Sequence, residues 1–342
     1  MGISARARWR AGPTLLAIGT AAVALSACSS GSSSHSASST PASSAGSAST
    51  GSTEAPATTK TGIKVTGAFD NRPTVTFPAG GPPKQLTAQT LVAGHGTPVT
   101  SGDTVITNYV GEIWPAKTGA QPKVFDSSFS RGTPAGFVIG TGQVIPGFDK
   151  TLVGQRIGSR LLLSIPPVDG YGSSGNSQAG ISGTDTLVFV VDLLADYKPD
   201  ASAPGVATTQ PPGAGWPQIT NTPGRQPQVT SVAGVRAPTS PTSKLLLDGR
   251  GAKIDPSKTL VIQVVDTDIA TGSNTQTTWG KEPELVSGQS VISIVTALND
   301  QNIGARAVAL VPATPAQPAS ATAQAEPATP ASILVVDVVG QF

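Results

Sequence analysis

Side chains able to make or break bonds are scarce in this chain of 342 residues. It has two histidines, His35 and His95, and one cysteine, Cys28. A zinc site draws three or four ligands from Cys, His and carboxylates, so this inventory excludes one, and no metal or cofactor is expected. There is no G-x-S-x-G nucleophile elbow. GTGQVIPG (140–147) is glycine-rich, but its spacing fits neither dinucleotide nor kinase fingerprints. What remains is an aromatic set, Tyr109, Phe125, Phe137, Phe148, Tyr171 and Phe189, with Asp126 beside Phe125. Such residues in a small β domain are ordinarily core. Asp126 in FDSS also suits an Asx-turn, Tyr171 in DGYG suits a loop plug, and His95 between two glycines suits an exposed turn. The chemistry open to such a set is that of an apolar pocket.

The elements that would hold the pocket can be read nearby. QVIPGFDKTLVG (143–154) predicts a short helix, with Pro146 in the first turn, where the missing N–H costs nothing, and Gly154 at its end. Ile145, Phe148 and Leu152 fall on one apolar face. DTVITNYV, SRLLLSIP and TLVFVVDLLAD are rich in β-branched residues, and the last two are nearly continuous apolar runs that read as central strands. One short helix on a curved antiparallel sheet is an α+β architecture.

Composition bounds the rest. Charged residues make up 12% and aromatics 4%, while 39 Gly and 30 Pro favour strands, turns and linkers over helices. The net charge of +2 owes three charges to Arg6, Arg8 and Arg10. Residues 1–27 read as an export signal: a basic ARARWR, an apolar run over roughly 11–25, then LSAC ending at Cys28. LSAC resembles the bacterial lipobox, which implies a lipid anchor on Cys28 and a place on the extracytoplasmic side of a bacterial cell membrane. Without the signal the chain has 19 basic and 20 acidic residues, and no basic field is left to attract nucleic acid. Residues 28–60 read as a disordered Ser/Thr/Ala-rich stalk that includes His35. Residues 199–218 read as a Pro/Gly linker, and Ala313–Ala331 as a polar, Ala/Pro-rich interruption.

Two folded regions, 61–198 and 219–342, carry four matching segments in the same order. LVAGHGTPV (91–99) pairs with LLDGRGAKI (246–254), and GDTVITNYVG (102–111) with SKTLVIQVVD (257–266). IGSRLLLSIP (157–166) pairs with IGARAVALVP (303–312), and LVFVVDLL (187–194) with SILVVDVV (332–339). Four ordered pairs argue for duplication into two similar domains rather than a solenoid.

The first region resembles the FKBP-type peptidyl-prolyl isomerases. NYVG (108–111), KVFDSS (123–128), GQVIPGFD (142–149), IGSRLLLSIPP (157–167), GYG (170–172) and TLVFVVDLL (186–194) stand in that family's order, over about residues 85–197. The resemblance implies a twisted antiparallel half-barrel around one helix, with a proline-binding pocket between helix and sheet. It implies Tyr109, Phe125, Asp126 and Tyr171 as catalytic residues, and Phe137, Val144, Ile145, Phe148, Ile181 and Phe189 as the substrate-binding lining. Phe148 is the floor under the prolyl ring, and the Ile145 N–H and Tyr171 hydroxyl bind substrate carbonyls. The implied partners are proline-containing polypeptides and macrolides such as rapamycin.

Rotation about X–Pro breaks no covalent bond. Its barrier of about 20 kcal/mol comes from amide resonance. A dry pocket favours the twisted, less charge-separated amide, which is differential binding of the transition state. Some positions depart from the family pattern: Phe148 stands where Trp is commonest, Ala135 where an aromatic is frequent, Gln143 for Glu and Asn176 near a frequent His. In the second region Val264, Thr275, Gln276 and Ile294 fall at the positions of Tyr109, Phe125, Asp126 and Phe148. That region reads as a degenerate FKBP-like fold without isomerase function. The competing reading of the whole chain is a non-catalytic binding or chaperone lipoprotein.

Overall fold

The computed structural model describes residues 57–115, 119, 121–209, 212–316 and 328–342. Cys28, His35, the signal segment and most of the expected stalk lie outside the described residues. The first unit opens with a meander of β1 (Ala57–Thr58), β2 (Lys64–Thr66) and β3 (Thr74–Thr76). Its main sheet is built from β4 (Thr87–Val92), β5 (Thr104–Ile113), β6 (Lys123–Ser127), β7 (Ala135–Val138), β8 (Arg160–Ile165) and β9 (Leu187–Tyr197). A single helical turn, α1 (Ser128–Arg131), follows β6, and α2 (Pro146–Leu152) lies between β7 and β8.

All pairings are antiparallel, in the order β4-β8-β9-β5-β6, and β7 pairs with β5 alongside β6. The two apolar runs are central strands, as expected, and all of β8 is buried. Helix α2 lays Phe148 and Leu152 against Leu161, Leu163, Phe189 and Val191 on one face of the sheet. The meander covers the other face, where Ile63, Val65 and Val75 meet Trp114, Leu162, Val188 and Val190. Both faces of this antiparallel sheet are therefore covered, which is why its strands run apolar instead of alternating.

The meander corrects the expected stalk boundary at residue 60: β1 begins at Ala57, and Ile63 is fully buried. Arg160 pins it. Arg160 and Asp192 form a buried ion pair, with Nη2–Oδ2 at 2.6 Å, and the guanidinium also donates to the carbonyls of Gly67 and Asn71. Asp192 in turn accepts from the Asp70 N–H at 2.9 Å.

The second unit contains β10 (Val206–Ala207), β11 (Gln218–Thr220), β12 (Gln228–Ser231), β13 (Thr242–Asp248), β14 (Thr259–Asp268), β15 (Asn274–Thr277), β16 (Glu284–Ser287), α3 (Gly288–Ile294), β17 (Arg306–Val311) and β18 (Ser332–Gln341). Its order is β10-β13-β17-β18-β14-β15, with β16 beside β15 on β14. The register repeats that of the first unit. Val191 lies opposite Tyr109 as Val336 lies opposite Val264, and Asp126 opposite Gly111 as Gln276 opposite Asp266. Arg306 and Asp337 form a second buried pair, and Arg306 donates to the carbonyls of Thr222 and Arg225.

The expected linker, 199–218, is not a free spacer. Ala203 is fully buried, and its N–H and the Ser202 hydroxyl both donate to Asp337. Strand β10 pairs with β13, and Trp216 packs on the second core. The anchoring donors are mostly backbone groups, so an Ala/Pro/Gly composition conceals it. Within the Ala313–Ala331 interruption, Thr314 and Thr329 bridge, and 317–327 fall outside the described residues.

Candidate functional site

The aromatic set of the first unit converges between α2 and the concave face of the sheet. Strand β5 brings Tyr109, β7 Phe137 and β9 Phe189, α2 brings Phe148, and a register shift opposite Gly111 and Glu112 lets β6 bring both Phe125 and Asp126. Phe148 and Phe189 stand edge to face at 4.9 Å between ring centroids, and Phe125 and Phe189 at 5.4 Å. Phe137 lies 5.9 Å from Phe148 and 5.8 Å from Tyr109. These are favourable aromatic geometries. Gly111 permits them, because a Cβ there would come within 2.8 Å of both the Phe125 and Phe189 rings. Ile181 is buried in the same cluster, and Val144, Ile145 and Tyr171 are half-buried at its edge.

A polar knot closes one end. The Tyr109 hydroxyl donates to Asp126 Oδ2 at 2.5 Å, and Arg131 pairs with Asp126 Oδ1 while donating to the Tyr109 hydroxyl at 2.8 Å. Arg131 also lies over the Tyr109 ring, 5.4 Å from its centroid. The Ser128 hydroxyl accepts the Tyr109 N–H at 2.9 Å and donates to Asn108 at 2.7 Å. Sequence reasoning did not single out Arg131 or Ser128. The available signal was SSFSR after the strand: Ser127 caps the single turn α1, and that turn carries Arg131 back over Tyr109. FDSS is therefore the end of a strand and a helix cap, not an Asx-turn.

Two groups at the rim point to a ligand. Among the described residues the Ile145 N–H makes no hydrogen bond, because Ile145 is the extended residue just before α2. The Tyr171 hydroxyl is buried without a well-formed hydrogen bond, and the Asn176 side chain is its polar neighbour. Asn176 also ties the rim loop by exchanging backbone bonds with Ile181 at 2.8 and 2.9 Å. Asp149 was likewise missed as a positioning group. It accepts from the Gly140 and Gly142 N–H groups at 2.6 and 2.7 Å and so folds the loop that presents Val144 and Ile145. His95 is exposed, as expected of a turn residue.

Burial pushes both phenols above their ordinary range, Tyr109 further because Asp126 stands beside it. Both are neutral donors at physiological pH. Glu112 is pushed up to about 7, chiefly by burial. It lies opposite Val188, on the face away from the aromatic cluster, and so belongs to the meander and not to this site. The arrangement offers a dry aromatic surface flanked by an N–H and a hydroxyl that have no well-formed hydrogen bond among the described residues, suited to binding and distorting a polar group without proton transfer.

The equivalent space in the second unit is a cavity of about 30 Å³ lined by Ile262, Val264, Val291, Ile294, Val336 and others, with Glu284 as its charged group. That is room for a water or two. Thr275 and Gln276 occupy the register positions of Phe125 and Asp126.

Residues 96–194 match the family of FKBP-type peptidyl-prolyl cis-trans isomerases. The FK506-binding protein of Streptomyces anulatus is 40% identical over 124 residues, which span 36% of this chain and 96% of that protein. A probable FK506-binding protein of Corynebacterium glutamicum is 33% identical over 124 residues, 36% of this chain and 98% of its own length. The peptidyl-prolyl cis-trans isomerase FKBP15-1 of Arabidopsis thaliana is 44% identical over 94 residues, covering 28% of this chain and 57% of that protein. Among solved structures, FkpA from Escherichia coli aligns with 33% of this chain and 48% of its own at 37% identity, with a TM-score of 0.29.

Proposed function

This chain belongs to the FKBP-type peptidyl-prolyl cis-trans isomerases, and on that premise we propose that the aromatic hollow between α2 and the first sheet accelerates X–Pro rotation in exported polypeptides. The prolyl ring sits on Phe148 between Phe125, Phe137 and Phe189. The Ile145 N–H and the Tyr171 hydroxyl each donate to a substrate carbonyl. As the bond twists, the amide loses resonance and charge separation, and the dry aromatic walls favour that state over the planar one. Asp126, held by Tyr109 and Arg131, faces the twisting carbonyl with a fixed dipole and exchanges no proton. Macrolides with a proline-like ring are competitive ligands of the same hollow.

The observation that carries this reading is a pair of donors with no well-formed hydrogen bond among the described residues, the Ile145 N–H and the Tyr171 hydroxyl, at the rim of the aromatic hollow. The test is a prolyl-peptide isomerisation assay on Phe125→Ala and Tyr171→Phe. Both are expected to lower kcat/KM; because truncating a buried Phe costs about 3–5 kcal/mol of stability, circular dichroism must first show that the fold is retained. Wild-type activity in a folded Phe125→Ala protein would refute the assignment.

The second unit is proposed as an FKBP-like copy that no longer isomerises. Val264, Thr275 and Gln276 replace a phenol, an aromatic wall and a carboxylate, and the loop equivalent to the one bearing Tyr171 is the Ala/Pro-rich interruption. This favours a binding or bracing role for that unit, the runner-up function for the chain. Cys28 in LSAC supports lipid anchoring at the outer face of a bacterial membrane. A single acyl chain is a marginal tether, and firm anchoring takes more than one.

A further inference from the structure

The two units meet through positions that are equivalent in their registers. Gly136 of β7 lies opposite Ile106 on β5, and Leu285 of β16 lies opposite Val261 on β14. Those four are the same two places in the repeated sheet, and Gly136 and Leu285 touch each other. A Cβ on Gly136 would come within 2.3 Å of Leu285 Cδ1 and 3.3 Å of Ile106 Cδ1. A second contact involves the same row. Ala195 lies opposite Ile106 as Gly340 lies opposite Val261, and the Tyr197 ring of β9 rests on Gly340, where a Cβ would come within 2.0 Å of its hydroxyl. Pro199 completes the junction, its carbonyl accepting from the Gly280 N–H and from Gln263 Nε2, both at 3.0 Å. Contact between like positions is the mark of an isologous, two-fold interface.

We infer that the second unit docks on the first as an internal pseudo-dimer partner, and that Leu285 is a positioning residue for the isomerase site. The inference rests on the site proposed above. Strand β7 has four residues and, among the described strands, pairs with β5 alone. By alternation Phe137 faces the hollow while Gly136 faces the other way, onto Leu285. The backbone that aims the Phe137 ring at Tyr109 and Phe148 is thus held from behind by a side chain of the other unit. Removing that side chain frees a short edge strand to move. A glycine accepts it because any larger residue at 136 would push the strand toward the hollow.

The test uses the full chain with Leu285→Ala and Leu285→Met, read by amide exchange at 135–138 and by prolyl-peptide kinetics. Leu285→Ala is expected to speed exchange at these amides at least tenfold and to lower kcat/KM about three- to tenfold, mainly through KM, with the far-UV spectrum unchanged. Leu285→Met, which refills the notch, is expected to restore both within about twofold. Unchanged exchange in Leu285→Ala overturns the brace. Faster exchange with unchanged kinetics, or a Met variant as impaired as the Ala variant, overturns the positioning role. An inactive wild type would instead refute the proposed activity, and exchange alone would then decide the brace.

Discussion

Glu112 offers a quantitative test of how the meander is held. Glu112 is 6% exposed beneath the meander, between Val124 and Val188 on the neighbouring strands, and Oε2 has no hydrogen-bond partner among the described residues. Burial raises its pKa from 4.5 to about 7, and the charge of Arg72 lowers it only in part. The folded state therefore holds this proton more tightly than the unfolded chain. Its contribution is fully present below about pH 4.5 and is lost as the pH rises through about 7. A tenfold change in proton affinity is worth about 1.4 kcal/mol, so the loss is about 3 kcal/mol. Glu112→Gln has no proton to lose. Its buried amide leaves N–H donors unpaired, at a cost of about 1–3 kcal/mol, so the variant should be less stable than wild type at pH 4.5 and should match or exceed it at pH 8. Asp266 and Glu284 are also raised by burial, but both proteins carry them and they cancel in the difference. Urea melts of the two proteins across this range measure it directly. A wild-type-minus-variant difference that stays flat, within about 0.5 kcal/mol of extrapolation error, would refute the reasoning.

Other expectations follow from the same geometry. Asp149→Ala releases the Gly140 and Gly142 amides and should lower kcat/KM roughly tenfold through a misplaced Ile145 N–H, while chemical denaturation registers a loss of only about 1–2 kcal/mol. Arg160→Ala strands Asp192 under the meander and should cost about 3–5 kcal/mol; proteolysis near residues 66–72 would report the released strand, and a melt within 1 kcal/mol of wild type would contradict it. The separate second unit, best cut at 199 because Ala203 is buried against Asp337, should melt cooperatively yet turn over prolyl peptide more than tenfold slower than the first, a barrier gap above about 1.4 kcal/mol. Cys28→Ala should move the protein from the membrane fraction to the soluble exported fraction, and equal retention of both forms would end the lipobox reading.

Much of this protein could be read from the chain, for reasons local to each segment. Pro146 at the first helical turn, the apolar runs of β8 and β9 and the glycine-bounded loops each state their conformation within a few residues. Spacing then sufficed to gather Tyr109, Phe125, Phe137, Phe148 and Phe189, because strand alternation and helical periodicity decide which face a side chain takes. The first residues of the folded part were illegible, since β1–β3 are short, polar in composition and ordered by contact with the back of the sheet. The same holds for 199–207, where the Ala203 N–H and the Ser202 hydroxyl meet the buried carboxylate of Asp337, 134 residues beyond Ala203 in sequence. Arg131 and Ser128 had only the weak capping signal of SSFSR, and Asp149 none; each acts by closing a hydrogen-bonded loop around a residue whose place was legible. Only the tertiary structure decided that the two units meet through register-equivalent positions. An interface between sheets is made of whatever side chains protrude at one row, and Gly136 and Leu285 acquire their meaning only when the two rows meet.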